Sequence, residues 1–286
     1  MITLRDLHTI DEYRQVVDLE RAIWGYTDLA DVVTVPVFII TVKRGAILVG
    51  AFGASRMVGF AYSLVGMKDG RATQWSHMLG VLQEFRSSGL GRALKLAQRE
   101  RAIAAGFDLI EWTFDPLQAM NAHLNFTKLG VVAEEYARNV YGESTSALHR
   151  GTPTDRFIVQ WRIREPHAER RIAGERSLVV RAAEVGEAPL ANTLVADGAW
   201  PRCADVRLDH SDPRVWMEIP MSFTEMQQQA PERALAWRLT TREIFERYLG
   251  RGYRVVDFVL DRAQARGRYL MALHGEVPSS HPESHS

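Results

Sequence analysis

The chain has 286 residues, 46% of them hydrophobic and 24% charged, which is enough for two ordinary domains with real cores. Its 35 Lys and Arg balance 35 Asp and Glu, so no global charge draws it to nucleic acid or to an acidic membrane surface, and any preference for phosphate has to be local. The single cysteine, Cys203, excludes an internal disulfide and a cysteine-based zinc site and fits a reducing cytoplasm. No metal is expected, and the location is expected to be cytoplasmic with no membrane contact. The first residues, Met1 to Asp6, have mixed charge, and no run reaches the roughly 18 apolar residues of a membrane span. The most apolar stretch, 32–42, is short and contains Pro36.

In chain order, a strand at 2–4 precedes a helix near 10–24, where Tyr13, Val16, Val17, Glu20 and Trp24 recur at spacings of three and four. Two runs, 46–54 and 56–65, mix Gly with β-branched and aromatic residues and predict a meander. A central strand at 73–82 leads through 83–88 into a helix at about 89–105. Its apolar stripe is Leu90, Ala93, Leu94, Ala97 and Ala104, with Arg92, Lys95 and Arg99 expected outward. Gly106 ends that helix. A strand at 109–114 closes at Asp115 and Pro116, a helix runs from about 118 to 129, and strands follow at 131–140 and 156–164. This order predicts an α/β (α+β) fold, a mixed sheet with helices on both faces.

The expected division is a first domain over 1–165, a linker over 166–176 whose charge run is a solvated face, a second domain over 177–275 and a disordered Ser- and His-rich tail over 276–286. The halves share a pattern. Residues 105–115 and 251–261 both read as helix end, Gly, buried strand, Asp, with a helix upstream of each. In the later copy Leu235 and Trp237 stand where Gly89 and Gly91 stand in the first. Either the second unit is a degenerate duplicate, or two helix–strand units are alike by chance.

The chemistry points to 86–92. A chain that turns from a strand into a helix leaves first-turn N–H groups unpaired, and the helix dipole adds about half a positive charge there. Gly89 and Gly91 remove Cβ atoms where a ligand approaches, and Arg86 and Arg92 supply cations, so an anion such as a pyrophosphate suits the place. The other reading is a tight connection with no ligand. The loop lacks the Lys-Ser/Thr of a nucleotide P-loop and does not follow the first strand, as a dinucleotide fold requires.

The run Val81-Leu82-Gln83-Glu84-Phe85-Arg86-Ser87-Ser88-Gly89-Leu90-Gly91-Arg92-Ala93-Leu94 resembles the acyl-CoA signature of the GNAT superfamily, and 122–130, with Phe126, resembles its second motif. The likeness covers about 1–165 in element order, and the whole chain resembles a branch of that superfamily with an extra C-terminal half. It implies a GNAT-type sheet and acyl-CoA as cofactor, acetyl-CoA or, from the amino-acid N-succinylation associated with the branch, succinyl-CoA. It also implies that Arg86, Ser87, Ser88, Gly89, Leu90, Gly91 and Arg92 hold the pyrophosphate. The backbone of Met78, Leu79, Gly80 and Val81 then holds pantetheine as an added strand and polarises the thioester, with Asn121 and Asn125 on its amides.

Attack by an amine needs a base, an oxyanion donor and protonation of the leaving thiolate. His77 is the first candidate base, or the group that orders a water relay, with Glu111 and the weaker Glu84 as rivals. Phe126 departs from the superfamily, which commonly has Tyr there. Either the thiolate, with a pKa of about 8.5, leaves unaided, or Tyr136 or Tyr141 donates. Arg138, Asn139 and Tyr141 are a candidate dock for a substrate carboxylate. The resulting reading is an N-acyltransferase acting on a small-molecule amine. The rival readings are a non-catalytic CoA-binding sensor or scaffold, and a structural partner that keeps the fold only. The C-terminal half is expected to close the acceptor pocket or to form a subunit interface, which implies a homodimer.

Overall fold

The computed structural model describes residues 1–26, 28–54, 56–142, 152–175 and 188–273. The expected tail at 276–286, with His281 and His285, lies outside the described residues, as does most of the turn-rich stretch after Gly142. The chain is α/β and forms two compact units, one over Met1–Trp112 and the other over Thr113–Gly142 together with 152–273.

In the first unit, β1 (Ile2–Asp6), β2 (Ile47–Gly53), β3 (Arg56–Lys68), β4 (Arg71–Val81) and β5 (Leu109–Phe114) lie in that order. The first four pair antiparallel, and β5 runs parallel to β4. α1 (Ile10–Trp24) starts on a capping box, with the Thr9 side chain accepting from the Glu12 N–H and Glu12 reaching back to Thr9. The apolar 32–42 stretch folds as α2 (Val35–Val42), with Pro36 in the first turn, where its missing N–H has no helical partner to lose. Phe38 of α2 is fully buried and meets Tyr62 of β3 edge to face at 4.8 Å. Contacts of this kind add about 0.5–1.5 kcal/mol beyond burial.

α3 (Leu90–Ala104) covers the other face of the sheet, since Gly59 points toward Leu94 while its neighbour Phe60 meets Trp24 of α1. Lys95, expected outward, is instead buried with Leu90, Leu94 and Ala97, and Ala104 is exposed. The sheet covers a wider face of the helix than the apolar stripe alone marks, and Lys95 falls within it. Its Nζ sits 3.6 Å from the Trp112 ring centroid and donates to Ser76 Oγ at 2.6 Å and Gln98 Oε1 at 3.3 Å.

The second unit holds β6 (Val132–Ala137), β7 (Arg156–Arg162), β10 (Arg214–Pro220), β11 (Tyr253–Asp261) and β12 (Arg266–Leu273), in the antiparallel order β7-β6-β11-β12-β10. β8 (Thr193–Val195) and β9 (Arg202–Ala204) form a separate pair. The helix expected at 118–129 is α-helical only over Ala119–Ala122 and continues as a π-helix, His123–Leu129. Phe126 in that turn is fully buried among the rings of Phe114, Phe157 and Tyr269.

The charged 165–175 stretch forms a helix, Pro166–Ile172, and its Arg171 is not solvated. Arg171 donates to Asp257 at 2.7 Å with 4% and 1% of the two side chains exposed. A further helix, Phe223–Gln229, precedes the long Pro231–Leu249 helix. The repeated pattern is visible as geometry, because Gly106 and Gly252 each have φ of 85° in the short turn between a helix and a strand. A left-handed residue there favours glycine.

Removing one partner of a buried ion pair leaves the other uncompensated. Arg171→Met is therefore expected to lower stability by about 3–5 kcal/mol, measured as a drop in the urea midpoint with the slope of the transition unchanged.

Candidate functional site

The first unit's site begins where β4 loses a neighbour. Its parallel pairing with β5 consists of Gln74 with Ile110 and Trp75 with Glu111, so from Ser76 onward β4 keeps β3 on one side and has no paired strand on the other among the described residues. Opposite that edge the register slips, with Ser76 facing Ser63 and Met78 facing Tyr62, which leaves His77 as an extra, bulged residue. The bulge inverts the strand's faces. Ser76 meets Lys95 of α3, whereas Met78, two residues on, joins the Phe38 and Tyr62 cluster beneath α1 and α2. His77 itself keeps an exposed edge, and its ring stands 6.3 Å from that of Tyr62. Burial by the surrounding chain lowers its pKa below the usual histidine value, so at neutral pH the imidazole is mainly uncharged.

Past Val81 the chain makes a single 3₁₀ turn, Gln83–Phe85, and then turns sharply. Ser87 has φ of 61° and Gly89 has φ of 86°, two left-handed residues separated by one. No side chain caps α3, and the Ser88 hydroxyl donates to the Phe85 carbonyl at 2.7 Å rather than to the helix end. The first intrahelical bond is Ala93 N–H to Gly89 O at 3.0 Å, so the amides of Leu90 and Gly91 precede the ladder. A Cβ built on Gly89 would meet nothing within 4 Å, and one on Gly91 only Leu79 at 3.9 Å. The space above the helix end is thus open rather than filled by the protein.

Arg86 is exposed, and its Nε reaches back to the Val81 carbonyl at 3.2 Å, which ties the turn to the end of β4. Glu84 does not face the helix end as a lone carboxylate, since Arg56 pairs with it at 2.5 Å. A cleft of about 470 Å³ lined by Met1, Ile2, Gly53, Ala54, Arg56 and Phe85 adjoins this region without including Gly89 or Gly91.

Glu111 is buried on β5, and Lys68 Nζ donates to it at 2.8 Å. The second unit holds the remaining expected residues. Tyr141 is half exposed, and its hydroxyl lies 2.7 Å from Thr113 Oγ1. Tyr136 donates to Asp155 at 2.8 Å, and burial together with the Asp155 charge raises its pKa, which makes it a poor proton donor. Arg138 is paired with Glu246, and Asn139 Oδ1 accepts from the Thr154 N–H at 3.1 Å, so two members of the expected carboxylate dock already have partners. Asn121 is exposed, and Asn125 is buried in the π-helical turn with its carbonyl accepting the Val131 N–H at 3.2 Å. Cys203 is half buried, and burial pushes its thiol up to about 11, which leaves it a poor nucleophile.

Two ionisable groups of the first unit carry no motif and were not singled out as functional by sequence. Burial pushes the Lys95 amine well below the usual lysine range. Glu20 of α1 is fully buried, and burial raises its carboxyl to about 7, although the Val33 N–H pulls the other way.

No family model matches the chain, and no curated protein does. Solved structures do match. One is a GNAT-family acetyltransferase from Streptococcus pneumoniae, 18% identical over 56% of this chain and 98% of that one, with a TM-score of 0.45. Another is the ribosomal-protein-S18-alanine N-acetyltransferase of Escherichia coli, 18% identical over 57% and 94%, with a TM-score of 0.44. A third is the PaiA N-acetyltransferase of Thermoplasma acidophilum in complex with coenzyme A, 15% identical over 57% and 99%, with a TM-score of 0.40. Among the described residues no helix is long and apolar enough to cross a membrane.

The Glu20 shift fixes a sign. A carboxyl whose pKa rises from 4.5 unfolded to about 7 folded costs stability progressively as pH climbs through that window. Glu20→Gln removes the titration, so its stability relative to the parent is expected to improve by up to roughly 3 kcal/mol between pH 4.5 and pH 8. Urea melts across that range measure the change, and a difference that stays flat with pH contradicts it.

Proposed function

We propose that this chain is an acyl-CoA-dependent N-acyltransferase, moving an acetyl or succinyl group to the amine of a small molecule, with an amino acid as the candidate acceptor, by direct attack in a ternary complex. The observation that carries this reading is the uncapped, glycine-lined N-terminus of α3, open above Gly89 and Gly91 and reached from the unpaired edge of β4. A diphosphate fits that place: the amides of Leu90 and Gly91 donate, the helix dipole favours negative charge, and Arg86 and Arg92 lie beside it. The sequence motif over 81–94 supports the same ligand.

The remaining roles follow from β4. Backbone groups of Met78 to Val81 on the edge away from β3 are available to an extended pantetheine as ladder partners, the Val81 carbonyl only once Arg86 releases it, and an N–H there suits a developing oxyanion. Acyl-CoA brings a thioester already activated toward amines. His77, mainly neutral and partly exposed at the bulge, is the group able to take the amine's proton. Glu111 is the lesser candidate, because its carboxylate is buried and held by Lys68.

One observation favours a second reading, a protein that binds coenzyme A without turning it over. Phe126 is a core ring with no proton to give, and the Tyr136 hydroxyl is committed to Asp155. Tight CoA binding without thiol release from any acyl-CoA in the presence of an amine panel would favour it.

Gly89→Asp puts a side chain and a negative charge into left-handed backbone at the phosphate end, and Arg86→Ala removes a cation. Calorimetric titration with CoA is expected to show at least tenfold weaker binding for each, and parent-like binding by both variants sinks the reading. In a thiol-release assay His77→Gln is expected to lower kcat by about 10²–10⁴-fold with the KM for acyl-CoA unchanged. Because the imidazole's pKa is lowered, the acid limb of the parent's kcat/KM profile belongs below pH 6.5, and the variant should lack it.

A further inference from the structure

Helix α1 carries a carboxyl that the chain does not complete. Glu20 Oε2 accepts the Val33 N–H at 2.9 Å, while Oε1 is buried with no hydrogen-bond partner. Among the described residues no Lys or Arg pairs with it, and the influences on its carboxyl are burial and the single Val33 bond. Tyr62 of β3 is near enough for the Glu20 charge to raise the phenol's pKa, but the Tyr62 hydroxyl is already 2.6 Å from Thr41 Oγ1 of α2. One turn on from Glu20, Trp24 stacks at 6.0 Å on Tyr26 and meets Phe60 edge-on.

A buried acid left with a bare oxygen, one helical turn from an aromatic cluster, has a chemically definite complement. Neutral donors meet only the hydrogen-bonding need, whereas an ammonium also supplies the missing charge and is attracted to aromatic faces. Tyr62 joins this carboxyl to the bulge, since its ring also faces His77.

We infer that Glu20 is a recognition carboxylate for a primary ammonium group, seated on the α1 and α2 side of β4 near His77. That this amine is the acyl acceptor rests on the acyl-transfer reading; the binding itself does not. Near neutrality the carboxyl is close to half ionised, and an arriving ammonium draws it fully into the charged form. The inference makes Glu20 a specificity residue, selecting amines over the corresponding alcohols.

The test uses the full chain at pH 8 with n-butylamine, benzylamine and glycinamide as probes, n-butanol and benzyl alcohol as neutral controls, and CoA in parallel titrations. The expected result is that at least one amine binds the parent and raises its Tm while its alcohol does not, that Glu20→Gln weakens that amine at least tenfold, and that CoA binds both proteins equally. Absence of amine binding to the parent, or equal binding by Glu20→Gln, overturns the inference and leaves the bare oxygen to an ordered water. Amine binding that needs Glu20 in a protein that ignores CoA upholds the subsite and sinks the acyl-transfer reading instead. Should the Gln variant fail to fold, carboxyl ¹³C NMR of the Glu-labelled parent asks the same question, because bound amine must lower the Glu20 pKa and an unmoved titration overturns the inference.

Discussion

The handover from β4 to α3 is the constraint on which the first unit's chemistry depends. A strand that ends beside its partner and a helix that starts on the opposite face of the sheet have to be joined within a few residues, and here the join takes two left-handed residues, Ser87 and Gly89. The serine bears backbone strain of about 1–3 kcal/mol that a glycine would avoid. Because the turn is so tight, the hydroxyl that could cap the helix is aimed elsewhere, Ser88 at the Phe85 carbonyl, while Arg86 ties the turn back to Val81. The first-turn amides are consequently left to whatever arrives from outside, and the two glycines keep the approach clear.

The bulge at His77 has a comparable effect on side chains. One additional residue in β4 sends Ser76 toward α3 and Met78 toward α1, with the imidazole between them at a partly exposed position. A regular strand would place Ser76 and Met78 on the same face. The slip also lies where the pairing with β5 has just ended, so the reorientation and the open backbone edge coincide.

Buried ionisable groups divide the molecule by how they are satisfied. Arg171 and Asp257 neutralise each other within the second unit, which makes them architecture. Lys95 donates to two neutral acceptors beneath a tryptophan face, and burial is what favours its uncharged form. Glu20 differs from both, having one bond and one bare oxygen. Natural proteins seldom leave a buried polar atom unmatched, and what separates Glu20 from the other two is that burial is opposed by a single backbone N–H and by no cation among the described residues.

Much of the first unit was legible in the sequence because period and punctuation record local physics. The meander, the 89–105 helix, Gly106 and the loop motif follow from glycine placement and from apolar residues at helical or alternating spacing, which each residue expresses whatever its distant neighbours do. The apolar 32–42 stretch did not declare itself a helix, since short apolar runs fit several structures, and the π-helical turn around Phe126 left no periodic signal. Lys95 and Arg171 were misplaced on the surface because charge predicts exposure only until a partner or a covering element is known. The sequence alone thus determined the order of most elements of the first unit and the glycine-bearing turn ahead of α3. Tertiary structure decided the bulge at His77, the open edge of β4, the bare oxygen of Glu20 and the partners that occupy Tyr136 and Arg138. Each of those depends on register or burial between segments far apart in the chain, and no local pattern of residues encodes that.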